Sequence, residues 1–371
     1  MINVGIIGFG KMGQIRYDTI AASPRGRVIA IAEPDNNRVL NNDVPLVSIE
    51  EIIHSKRIDA VFICTPNHLN KELTIRALQA GKHVFCEKPP AFTVAEMEEI
   101  MGVERETAGL KLMYGFNHRH HESIIKVKEL IDSRKYGHIL WMRGRYGKSV
   151  DKTFFENWRA KREFAGGGIL LDQGIHMLDL FLYFANDFDE VKSFVSNSYW
   201  NLDIEDNVFA IMRNSTTNVT ASLHSTMTQW RHLFSLEIFC EKGYMVLNGL
   251  KTSSKTYGDE ILSVAKNRTT APAATWEDEE KLYFEVDNSW RIEVDHFFHC
   301  IKTGLPVSKG HSGDALKVMR AIERIYQDSI VDYSSAAQTG AYVDHCGVEG
   351  MEYPRYQEDR EINRVGIYPA N

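Results

Sequence analysis

Asp172, His176 and Asp179 stand at i, i+4 and i+7 in a stretch that opens on Gly166, Gly167 and Gly168 and is otherwise apolar. On an α-helix that spacing sets all three on one stripe. The remainder, Ile169, Leu170, Met177, Leu178, Leu180, Phe181 and Leu182, predicts a buried helix. A carboxylate and an imidazole on a buried helix are costly unless paired or used, and the use they suggest is proton transfer. The competing reading is a helix start capped by Asp172, with His176 a satisfied core residue. Far upstream, Phe85-Cys86-Glu87-Lys88-Pro89-Pro90 presents a lysine on a backbone fixed by two prolines. The Lys88–Pro89 bond is a candidate cis peptide. An ammonium there can polarise an oxygen; the competing reading is a surface lysine at a strand end.

These residues need elements that bring them together. Residues 2–7 are a continuous apolar strand, followed by Gly8, Phe9, Gly10, Lys11, Met12 and Gly13 and then a helical stretch, 14–22. This is GxGxxG in its required setting. The first glycine permits the turn, the second lets a pyrophosphate approach the backbone, and the third lets helix pack on strand. The helix N-terminus would face the phosphates. A second strand, 27–32, ends at Glu33, placed to accept from adenosine ribose hydroxyls and to repel a 2′-phosphate. That favours NAD over NADP, with nearby Arg38 as the feature that would admit NADP. Helices at 49–55, 72–80 and 93–107 then alternate with strands at 60–64, 83–86 and 111–116. The alternation predicts a doubly wound parallel sheet, with ligands beyond the strand carboxyl ends. Thr65, Pro66, Asn67 and His68, Glu87 and Lys88, and Asn117 all end strands and should gather at one crevice.

Past Asn117 the pattern changes. After a helix at 123–133 come strands at 139–146, 190–199, 208–213, 219–227, 234–240 and 244–247, mostly at hairpin spacing. They predict an antiparallel sheet, interrupted by the 166–184 helix and followed by one at 290–302. The fold class is therefore α/β: an N-terminal Rossmann domain, 1–117, then an α+β domain, 118–311, with a large open antiparallel sheet. An amphipathic helix within 312–331 should return to the first domain. Residues 332–371 are a C-terminal tail with weak periodicity. A bare sheet face carries an aggregation risk, so a homodimer or homotetramer is expected.

At 371 residues the chain exceeds one ordinary core. A net charge of −7 without basic runs argues against nucleic-acid binding. No apolar stretch has bilayer length, which predicts no membrane partner. The start lacks the features of a signal peptide. Cys64, Cys86, Cys240, Cys300 and Cys346 are odd in number and scattered, as in a reducing compartment, so a cytoplasmic location is expected. His118, His120 and His121 suggest no metal site, because helical neighbours diverge and no carboxylate completes a ligand spacing.

The order GxGxxG, Cys-Thr-Pro-Asn-His, Ala-Gly-Lys-His-Val-Phe-Cys-Glu-Lys-Pro, then Gly-Gly-Gly-Ile-Leu-Leu-Asp-Gln-Gly-Ile-His-Met-Leu-Asp resembles the glucose–fructose oxidoreductase / inositol dehydrogenase / MocA family over about residues 1–330. Many members have a histidine a few positions after Thr-Pro-Asn, where this chain has His68 and then Asn70. The resemblance implies a nicotinamide cofactor and a sugar, inositol or nucleotide-sugar substrate. It makes Lys88 the lysine of Glu-Lys-Pro and Asp172 and His176 the polar pair of the second domain. The chemistry agrees. Oxidising a secondary alcohol requires a base for the hydroxyl proton and an electrostatic partner for the oxygen, roles open to His176 and Lys88, with Asp172 orienting the imidazole. Arg119, Tyr146, Trp158 and Arg159 are further candidates for sugar hydroxyls or a phosphate. Two other functions use the same parts: an NAD-dependent glycosidase, and a non-catalytic sugar- or dinucleotide-sensing regulator.

Overall fold

The computed structural model describes residues 1–34, 44–268, 270–271 and 275–329. Arg38, Cys346 and the tail from 332 lie outside them. The chain opens with β1 (Ile2–Ile7), α1 (Lys11–Ala21), β2 (Gly26–Ala32), α2 (Ile49–His54), β3 (Ala60–Ile63), α3 (Asn70–Gln79), β4 (His83–Cys86), α4 (Val94–Glu106) and β5 (Leu112–Tyr114). These five strands make one parallel sheet in the order β2-β1-β3-β4-β5. Strands β1, β3 and β4 are apolar on both faces because helices cover both. Strand order reverses between β1 and β3. The turns after those strands therefore flank the switch-point crevice.

The second part runs α5 (Glu122–Asp132), β6 (Ile139–Ser149), α6 (Arg162–Ala165), α7 (Ile175–Ala185), β7 (Glu190–Ser196), β8 (Asn207–Arg213), β9 (Thr220–Thr226), β10 (Thr228–Cys240), β11 (Gly243–Asn248), β12 (Glu260–Lys266), β13 (Glu280–Phe284), α8 (Ser289–Thr303) and α9 (Ser312–Asp328). Its eight strands lie in the order β13-β12-β11-β10-β6-β9-β8-β7. The sheet is antiparallel, as the mostly hairpin spacing predicts, except at its centre, where β6 pairs in parallel with β9. Two strands, β12 and β13, were not expected. Edge strand β13, Glu-Lys-Leu-Tyr-Phe, has no buried residue, so its pattern carries little apolar alternation.

Helix α7 lies on the inner face of this sheet. A Cβ on Gly144 of β6 would meet Met177 Sδ at 2.5 Å, so glycine lets helix and strand touch. Phe181 is fully buried there, and each such ring contributes about 1.5–3 kcal/mol by leaving water. The three glycines before the helix also have physical work. Gly166 ends α6 in the left-handed region, and a Cβ on Gly168 would lie 2.0 Å from Glu205 O. That closeness lets the buried Glu205 carboxylate accept from Gly168 N at 2.8 Å and Leu170 N at 3.0 Å, covering amides at the start of the helical segment. Leu170–Gly174 then winds as a π-helical turn before α7. The wider turn breaks the single α-helical stripe expected for Asp172, His176 and Asp179.

Helix α8, though late in the chain, packs on the first sheet. Phe297 and Phe298 meet Phe62 of β3 edge-on at 5.6 and 6.1 Å, and Phe62 stacks on Phe85 of β4 at 4.8 Å. Helix α9 touches both sheets' surroundings. Arg320 pairs with Glu98 of α4, while Ser193 of β7 donates to Ile325 O. Among the described residues, no helix is long and apolar enough to cross a membrane.

Candidate active site

Gly8 has φ +87°, and a Cβ there would lie 2.7 Å from Cys64 O. A Cβ on Gly13 would be 2.2 Å from Gly8 O. Both glycines are thus required by the turn and by the approach of α1. Gly10 occupies the N-cap of α1, which begins at Lys11 and Met12. Phe9 N donates to Glu33 Oε2 at 2.7 Å, which fixes the carboxylate at the end of β2 against the glycine turn. A glycine turn, a helix N-terminus and an acid at the end of β2 fit a dinucleotide, with its phosphates on the Gly8–Gly13 turn and its adenosine ribose on Glu33.

Beyond β3, Thr65 donates to Asn70 Oδ1 at 3.1 Å, and Asn67 Nδ2 donates to Ala165 O at 2.9 Å. Pro66 opens the following 3-10 turn, and His68 lies against Phe164 at 5.1 Å. Asn67 and His68 thereby tie the first domain to the α6 segment that leads to Asp172. Asn117, in a 3-10 turn after β5, donates to Ser289 and contacts His118 Nδ1 at 3.1 Å. Glu87 is buried and accepts from Arg16 Nε at 2.7 Å, while Arg16 Nη1 lies 2.7 Å from Glu293.

The Lys88–Pro89 bond is cis. Lys88 Nζ donates to the backbone oxygen of Asp172 and lies 3.5 Å from its Oδ1. The carboxylate has two further cations, Lys148 Nζ at 2.5 Å and Arg159 Nε at 3.6 Å. Burial would raise the Asp172 pKa, but Lys148, Lys88 and Arg159 together hold it well below the usual carboxylate range. Burial lowers that of Lys88, opposed by Asp172.

His176 is 7% exposed, and its ring stacks on His118 with centroids 3.9 Å apart and planes 18° from parallel. His118 Nε2 is 3.1 Å from the Tyr146 hydroxyl. Among the described residues, nothing hydrogen-bonds to His176 Nδ1. Burial and then the nearby Lys88 charge hold His176 well below the ordinary imidazole value, so it is neutral at neutral pH. Asp172 makes no hydrogen bond to it. The expected orienting pair is replaced by two arrangements: Asp172 with three cations, and His176 on His118.

Lys88, Asp172, His176, Tyr146 and Arg159 converge, and Trp158 carries the Arg159 guanidinium 4.3 Å above its ring. Arg119 is elsewhere. The residue is only 2% exposed, and its guanidinium is bound to both oxygens of Asp179 at 2.7 Å and to Asp314 at 2.8 Å. Those bonds make it a structural clamp between α7 and α9 rather than a sugar-binding residue. Three participants were missed. Lys148 is two residues beyond Tyr146 on β6, so strand alternation could have found it. His118 gave no signal of stacking on a residue 58 positions away. Tyr257 receives a bond from Gln173 and lies 5.3 Å from the Tyr146 ring. Burial, then Lys148 and Lys11, lower the His232 pKa. This residue of β10 therefore lies within electrostatic reach of both the Asp172 cluster and the nucleotide turn.

Residues 2–116 match the family model described as an oxidoreductase family with NAD-binding Rossmann fold, and residues 124–246 match that of the GFO/IDH/MocA C-terminal domain. The chain is 32% identical over 211 residues to levoglucosan dehydrogenase of Pseudarthrobacter phenanthrenivorans, covering 53% of this chain and 54% of that protein. It is 33% identical over 212 residues to D-glucoside 3-dehydrogenase of Escherichia coli, covering 53% and 58%. These alignments span little more than half of either relative. In three dimensions it resembles levoglucosan dehydrogenase in complex with NADH and levoglucosan, with a TM-score of 0.78 and 25% identity over 88% of this chain and 97% of that one.

Proposed function

The chain belongs to the GFO/IDH/MocA oxidoreductase family, and we propose that it interconverts a secondary alcohol and a ketone on a sugar, inositol or nucleotide-sugar, using NAD(H), with Lys88 and His176 at the reacting oxygen. The observation that carries this reading is that Lys88, at the end of β4 in the sheet whose first turn fits a dinucleotide, is held by Asp172, four residues before the buried His176. The dehydrogenases of levoglucosan and D-glucosides among its relatives support the substrate class.

The Gly8–Gly13 turn and Glu33 would hold NAD, which when bound would supply the hydride acceptor for oxidation of the carbinol carbon. His176, neutral, takes the hydroxyl proton. Lys88 donates to the same oxygen and stabilises its negative charge as it develops. Asp172 fixes the lysine through carbonyl and carboxylate, and His118 supports the flat of the His176 ring. One alcohol thus becomes one ketone with one proton released. Incubating the full chain with NAD and a panel of polyols, sugars and nucleotide-sugars tests this: reduced nicotinamide should accumulate in step with ketone. Release of an aglycone from a glycoside without such accumulation would identify a hydrolase instead.

The reading includes a homodimer or homotetramer. The outer face of the eight-stranded sheet exposes Phe194, Phe209, Ile211, Trp141 and Tyr283, an apolar surface of the kind that a two-fold contact covers. Free cysteines at 64, 86, 240 and 300 suit a cytoplasmic setting.

A further inference from the structure

Three cations surround one carboxylate at this site. Lys148, Lys88 and Arg159 lie 2.5, 3.5 and 3.6 Å from Asp172, and their side chains are 10%, 18% and 37% exposed. A single carboxylate neutralises one of them. Glu87, the next residue along from Lys88, is committed to Arg16. Lys148 and Lys88 are largely withheld from water while sharing that carboxylate, and such surplus charge is costly without a counter-ion.

Arg159 is also held ready for a ligand. Its guanidinium lies on the Trp158 ring, and its backbone amide donates to Asn157 Oδ1 at 3.0 Å, which fixes the 3-10 turn. Its nearest atom to Asp172 is Nε, at 3.6 Å, and among the described residues neither Nη makes a hydrogen bond to a protein oxygen. A planar guanidinium edge with two free donors matches a carboxylate or phosphate. A neutral sugar would leave both the surplus charge and that edge unanswered.

We propose, on the reading that this cleft holds the reacting alcohol, that the substrate is an anionic sugar whose carboxylate or phosphate is bound by Arg159 and Lys148. The anion completes the site's charge balance and fixes how the sugar lies against Lys88. The rival account is that the two extra cations only tune Lys88, with no part in selection.

The test measures binding and turnover side by side on the full chain. D-glucuronate, D-glucose 6-phosphate and D-glucose are titrated calorimetrically in the presence of NADH, and each is assayed for NAD reduction. Either anion should bind at least about 10-fold more tightly than glucose, with the uronate and phosphate arms distinguishing the two sources. The anionic advantage should shrink as NaCl is raised. Arg159→Gln and Lys148→Gln should each reduce the ratio of anionic to neutral affinity by about 10–100-fold, the range for a hydrogen bond to a charged group. Equal or tighter binding of glucose, no binding by any of the three, or variants that leave the ratio unchanged would overturn the anion site. Anion-selective binding without NAD reduction by any sugar would keep the anion site and remove the oxidoreductase reading. NAD reduction with glucose preferred would do the reverse.

Discussion

Asp172 holds Lys88 twice, accepting from its ammonium at the backbone oxygen and lying 3.5 Å away through Oδ1. The aspartate therefore serves the lysine, while His176 rests on His118. Asp172→Asn removes the countercharge that opposes burial at Lys88. Its pKa, already lowered from 10.5, should fall further. The alkaline limb of kcat/KM, where Lys88 loses its proton, should then move to lower pH, and further than the acid limb, because Asp172 is bonded to Lys88 and acts on His176 only through its charge. Unfolding in urea should show a loss of about 3 kcal/mol from leaving three cations unscreened. A shifted acid limb with a fixed alkaline one would return Asp172 to the histidine.

Glu33 is pinned to Phe9 N at 2.7 Å, at the place where a 2′-phosphate would be repelled. NAD should bind more tightly than NADP, and Glu33→Ala should narrow or invert that gap in measured Kd values. NADP preferred by the unmodified protein contradicts the assignment.

Behind Lys88, Arg16 serves two buried carboxylates, Glu87 and Glu293. Burial pushes Glu293 from 4.5 up to about 8. The folded state then keeps a proton that the unfolded chain has released, so this contribution to stability is full below pH 4.5 and is lost as pH rises through about 8. Thermal melts across that window should show Glu293→Gln gaining on the unmodified protein as pH increases. Parallel Tm curves would show that Glu293 is ionised in the fold.

Much of this arrangement was legible in the sequence. Strand alternation and GxGxxG are local signals, and Glu-Lys-Pro marks a strand end, so the first sheet and its crevice follow from spacing. The second sheet was less legible where pairing is non-local: nothing in the order of β6 and β9 announces that they lie parallel. Asp172 misled because a π-helical turn changes the angle between positions four apart. Arg119 misled because its partners, Asp179 and Asp314, are 60 and 195 residues away.

The exposed aromatic residues of the second sheet predict assembly. Trp141 stacks on Phe239 at 4.2 Å, and Phe239 on Tyr244 at 5.0 Å, forming an apolar row across the outer face. Light scattering should give two or four times the 42.4 kDa chain mass, and Phe209→Glu with Trp141→Glu should lower it. A monomer at micromolar concentration contradicts this.

The assignment of Lys88 and His176 is tested most directly by rapid mixing of the NAD-loaded protein with a substrate sugar, following the first turnover of reduced nicotinamide. Lys88→Met and His176→Ala should each slow that phase by about 10²–10⁴-fold, the usual contribution of a positioned acid or base, while the Kd for NAD stays unchanged. The unmodified protein should retain its rate down to a pH well below 6.5, because His176 remains neutral there. Near-normal first-turnover rates in both variants would contradict the account.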